Sequence, residues 1–113
     1  MPDFREWQGQ EVRASDGERI GTLEEVYFDS ETDTPVFLLV KSGMLGRRLS
    51  FAPVKGVRPG RTYLQLASSH DDVRRAPTLE AGTDINAEEE AKIYQHYGFD
   101  YAATDSGRRL VRR

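Results

Sequence analysis

One segment interrupts the mixture of apolar and polar residues along the chain. Val36-Phe37-Leu38-Leu39-Val40, entered from Pro35, is its only run of five consecutive apolar residues. That length, with β-branched and aromatic content, predicts a strand buried on both faces. Side chains alternate across a strand, so Val36, Leu38 and Val40 share one face and Phe37 and Leu39 the other. The interior of a small barrel hides one set only. Leaving a Phe and a Leu in water forgoes roughly 1.5–3 kcal/mol each, so the second set predicts a cover. Two covers are expected together: a C-terminal helix bearing Ile93, Tyr94 and Tyr97, and a two-fold partner packed near it.

Shorter segments flank this strand. Gln10 to Ser15 reads as a strand and Asp16-Gly17 as a two-residue type I′ hairpin turn. Arg19 to Asp29 is the return strand. Ile20, Val26 and Phe28 share one parity while Leu23 breaks it, which predicts a bulge or sharp coil near Leu23 to Glu25, as a strand bending around a small barrel needs. Gly21 eases that bend or lets another backbone come close. Arg47 to Val54 alternates Leu49 and Phe51 against Arg48 and Ser50, Gly56 to Gly60 turns the chain, and Thr62 to Leu66 forms a fifth strand. Ile20, Val26, Phe28, Phe51, Leu64 and Leu66 are the expected interior. Phe4 and Trp7, one helical turn apart, plug one end.

The pattern changes at Ser68. Ser69 and Asp72 cap a short helix that Pro77 ends. Asn86 caps a second helix with Glu88 to Glu90 in its first turn, and Gly98 closes it with Phe99 folding back on Tyr94. The fold class is therefore mainly β: a small, highly coiled antiparallel β-barrel followed by two short C-terminal helices. The expected divisions are 1–68 for the barrel, 69–103 for a helical extension packed on it, and 104–113 for a flexible tail ending in four arginines.

Composition narrows the chemistry. At 113 residues the chain is one domain. It has no cysteine, hence no disulfide framework, thiolate metal site or cysteine nucleophile, which fits a reducing cytoplasm. No apolar run approaches the roughly 20 residues that span a bilayer, and an N-terminus carrying Asp3 and Glu6 is unlike a signal peptide. A cytoplasmic protein without a membrane span is expected.

The formal net charge of −3 argues against a polyanion binder as a whole, but the charge is segregated. Residues 1–33 hold ten acids and three bases; residues 34–70 hold no acid and six bases, Lys41, Arg47, Arg48, Lys55, Arg58 and Arg61; residues 71–107 hold nine acids and three bases. Such segregation serves lateral pairing of basic with acidic strands. The alternative to that pairing is a basic patch, Arg47, Arg48, Lys55, Arg58 and Arg61, for an acidic or phosphate-bearing partner.

Two tempting motifs fail on their own chemistry. Asp29, Glu31 and Asp33 alternate like a calcium loop, but the sixth and twelfth positions, where Gly and Glu are needed, are Thr34 and Val40. His70 beside Asp71 lacks the convergence of a catalytic triad, since adjacent residues at a helix start point apart. No cofactor or metal is expected. Met44 and Leu45, apolar residues between Gly43 and Gly46, either fold over the barrel mouth or form part of a contact surface.

The Asp16-Gly17 hairpin followed by Ile20-Gly21, the Val26-Tyr27-Phe28-Asp29 strand end, the apolar Val36 to Val40 strand and the Arg48-Leu49-Ser50-Phe51-Ala52-Pro53 segment resemble a PRC-barrel domain. That family includes the cytoplasmic domain of the photosynthetic reaction-centre H subunit and the C-terminal domain of a ribosome-maturation factor. The resemblance covers about residues 8 to 68. Ala76-Pro77 and His96-Tyr97-Gly98 look like the stand-alone bacterial members. No membrane-spanning helix or RNA-linked domain precedes the barrel here, so neither role is expected intact. The resemblance implies a non-catalytic interaction or adaptor module, and the uncovered strand face, the glycine-flanked turn and the C-terminal helix make it an expected homodimer with Phe37, Leu39, Met44, Leu45, Ile93, Tyr94 and Tyr97 as candidate partner contacts. The alternative is a ribosome- or RNA-associated module using the basic stretch. It lacks the interleaved aromatic residues of a single-strand platform.

Overall fold

The computed structural model describes residues 4–29, 33–43, 48–78, 87–98 and 110–112. After a 3₁₀ turn at Phe4–Trp7, six strands precede the helices: β1 (Glu11–Arg13), β2 (Arg19–Asp29), β3 (Pro35–Ser42), β4 (Arg48–Pro53), β5 (Arg58–Pro59) and β6 (Tyr63–Gln65). Then come α1 (His70–Arg75), α2 (Ala87–His96) and a last strand, β7 (Leu110–Arg112).

The β1–β2 turn differs from the expected type I′ form. Gly17, with φ 91°, has the left-handed conformation, whereas Asp16 is not among the positive-φ residues. Gly17 N donates to Ala14 O at 2.9 Å and Ala14 N to Glu18 O at 2.8 Å. This is a three-residue loop built from an ordinary turn followed by one left-handed glycine. The Asp16 carboxylate accepts from Glu18 N at 2.9 Å, local bonding that a short acidic side chain offers a turn.

The bulge in β2 lies where the parity breaks. Leu23 pairs with Val40 and Glu25 with Leu39, so Glu24 is the extra residue. Leu23 and Val26 thereby join one interior cluster with Val12, Leu38, Val40, Ala52, Leu64 and Leu66, against which Ile20 and Phe28 pack partly buried. Val73 of α1 and Trp7 belong to the same cluster. Phe51 does not join this interior. It pairs with Leu39 across the β3–β4 ladder, and residues directly opposite share a face, so it packs on the outer side with Phe37 and Leu39.

The ladders connect in the order β4-β3-β2-β1-β6-β5. They are antiparallel except β1–β6, which is parallel and so departs from the all-antiparallel expectation. The cause is the crossing at residues 54–57: the chain passes from one end of the strand path to the other and returns alongside β1 in the same direction. Flat, six strands would set the end strands about 24 Å apart. Four linking residues reach at most about 18 Å. The sheet must therefore coil on itself, although no ladder joins β4 to β5 among the described residues. The stretch 104–113 reads from sequence as a flexible tail, yet its Leu110–Arg112 forms β7, antiparallel to Tyr27–Asp29 of β2.

Candidate interaction surfaces

The outer face of the central strand is covered by the chain itself. Phe37, Leu39, Leu49, Phe51 and Tyr27 form a second cluster with Ile93 and Tyr94 of α2, and Tyr97 packs at its margin. The aromatic rings meet edge to face: Phe37 and Tyr94 at 5.3 Å between centroids, Tyr27 and Phe51 at 5.2 Å, the arrangement that ring quadrupoles favour. The Tyr97 hydroxyl donates to Phe51 O. Burial, reinforced by the Asp72 charge, holds that hydroxyl well above the ordinary tyrosine range. Five candidate partner contacts, Phe37, Leu39, Ile93, Tyr94 and Tyr97, are thus brought together within one chain. Phe37 is 0% exposed and Ile93 1%. Met44 and Leu45 lie outside the described residues.

The ends of the strand path are blunted. On β4, Ser50 bridges to Thr78 and Phe51 O receives Tyr97. At the other end, β5 has two residues and closes on Pro59. Short edges, proline and side-chain cover all disfavour strand addition.

The basic stretch divides. Lys41 pairs with Glu24 of the neighbouring strand at 3.6 Å, an instance of the expected lateral pairing. Arg48 turns to α1, where it donates to Arg74 O, and Arg47 lies outside the described residues. Lys55, Arg58 and Arg61 lie on the β4–β5 turn, β5 and the β5–β6 turn, and all three are exposed. None of the three pairs with a carboxylate among the described residues.

Tyr63, the aromatic residue of this hairpin, is occupied. Arg13 lies over its ring at 4.0 Å from the centroid, a cation–π contact, and a Cβ on Gly60 would meet the ring at 3.0 Å. Sequence reasoning missed this pair, because fifty positions separate its members and only the parallel β1–β6 ladder brings them together.

The histidines are placed apart from any triad. His70 Nε2 is 4.0 Å from Glu18, and its neighbour Asp71 pairs with Arg74 at 3.3 Å. His96 of α2 meets Asp72 O of α1 at 2.6 Å. Among the described residues, no helix is long and apolar enough to cross a membrane.

No curated protein matches the chain. The family model described as the PRC-barrel domain matches residues 3–73. That stretch is more than half of the chain and contains β1 to β6 with the start of α1, and the chain belongs to the PRC-barrel domain family.

Proposed function

We propose that this chain is a non-catalytic protein-interaction module, adaptor-like and self-associating, whose β4–β6 hairpin region meets an acidic protein surface. The observation that carries the reading is the trio Lys55, Arg58 and Arg61: exposed and without carboxylate partners among the described residues. Unmatched cations on one sheet end attract an acidic patch and hasten encounter with it. RNA association uses the same cations, but base stacking needs open aromatic faces, and Arg13 already lies over the ring of Tyr63.

The test is capture from the native host with the wild-type chain and a Lys55→Gln, Arg58→Gln, Arg61→Gln variant, each with and without nuclease. Protein capture that survives nuclease and is lost in the variant supports the reading. Capture abolished by nuclease, with affinity falling steeply with salt, would replace it with the RNA reading.

A further inference from the structure

Between the start of β2, the adjoining ends of β3 and β4, and α1 lies a cavity of about 250 Å³. Its size is below the roughly 300–1,000 Å³ of sites for drug-sized ligands, so its occupant is small. Ile20 and Val73 give it an apolar lining; Arg48, Arg74, His70 and Ser50 contribute polar groups.

The cations around it differ in what they meet. Arg74 is held by Asp71 at 3.3 Å and His70 faces Glu18 at 4.0 Å. Arg48 meets no carboxylate among the described residues; it donates from Nε to Ser50 Oγ at 3.3 Å and from its terminal nitrogen to Arg74 O. Those bonds tie the guanidinium at the cavity wall to neutral acceptors only. Ser50 is the second sign of a ligand. It is 1% exposed, its oxygen accepts from Arg48, and its own proton goes to no acceptor among the described residues. A hydroxyl both accepts and donates, and a buried donor without an acceptor costs free energy.

We propose that this cavity binds a carboxylate carried on a short aliphatic group. One unmatched guanidinium answers one negative charge, the Ser50 hydroxyl supplies a neutral donor beside it, and Ile20 and Val73 take the aliphatic part. Arg is suited to carboxylate recognition by its planar fork of donors. The same chemistry occurs in a free short-chain acid and at the C-terminus of a polypeptide ending in an aliphatic residue. The site is built from residues other than the Lys55, Arg58 and Arg61 hairpin and does not depend on the reading given to it.

The experiment is an amide-resolved NMR titration of the full chain with four probes: 4-methylpentanoate, 4-methylpentanamide, acetyl-Ala-Leu and its C-terminal amide. An acid should shift the signals of Ile20, Ser50 and Val73, and its amide should bind about ten- to a hundredfold more weakly. Binding of the free acid alone identifies a small-molecule site, and tighter binding of the peptide acid identifies a chain terminus. Arg48→Gln, at an exposed position, should abolish the preference for acid over amide in a chain whose amide spectrum away from the cavity is unchanged, whereas Arg58→Gln should leave the preference intact. Equal binding of acid and amide, no shift at about 10 mM of either acid, or an Arg48→Gln variant that keeps the preference would overturn the proposal.

Discussion

Two glycines show how differently one residue type is used. At Gly21 a Cβ would lie 2.0 Å from Lys41 O, a backbone atom of the paired strand. No side-chain rotation relieves that overlap, so the β2–β3 ladder has to part. Gly17 is the opposite case: nothing lies within 4 Å, and the constraint is its φ of 91°. Gly21→Ala should therefore cost more than the about 1–3 kcal/mol of ordinary overpacking. Gly17→Ala should cost about 1–2 kcal/mol, the left-handed penalty of an L-residue. Urea unfolding of the two variants checks this, and a Gly21→Ala chain as stable as wild type would show that the two backbones can separate freely.

Helix α2 is the element on which the outer face depends. Its closing turn seats Tyr97, whose hydroxyl is raised above the ordinary range by burial first and by Asp72 second. A tyrosine whose folded pKa exceeds the unfolded value stays protonated in the native state while the unfolded chain ionises. Its contribution is fully present below about pH 10 and is lost progressively as pH rises above that value. Tyr97→Phe should cost about 0.5–1.5 kcal/mol at neutral pH through the lost bond to Phe51 O. It should also flatten the fall in stability above about pH 10, measured as denaturation midpoint against pH. An unchanged alkaline slope would assign that fall to other groups. Much of this element was legible in the sequence. The two-sided strand Val36 to Val40 demanded a cover, and Ile93, Tyr94 and Tyr97 at helical spacing supplied one. The face of Phe51 was not legible, because parity within β4 does not set the β3–β4 register. Nor was β7, three residues whose strand state comes from pairing with β2 at Tyr27 to Asp29. The candidate surfaces were half legible: the acid-free stretch marked the cations, but only the fold separates Lys41, neutralised by Glu24, from Lys55, Arg58 and Arg61.

At the scale of the whole molecule, the apolar face is covered and the ends of the strand path are blunted while charge is left segregated. Copies that associated through Phe37 and Leu39 would have to displace α2, exposing and reburying its apolar residues. Copies that associated through charge would keep every internal contact. The net charge of −3 and the exposed acids Asp16, Asp72 and Glu88 give each molecule an acidic surface to offer the hairpin cations of another. Such a contact is screened: the Debye length falls from about 30 Å at 0.01 M salt to about 3 Å at 1 M. An apolar contact is not weakened in this way. Light scattering at micromolar concentration should accordingly show a dimer at low ionic strength that dissociates as salt is raised. The Lys55→Gln, Arg58→Gln, Arg61→Gln variant should be monomeric throughout. A dimer that persists at about 1 M salt, in both proteins alike, would instead place the contact on apolar surface and require α2 to move.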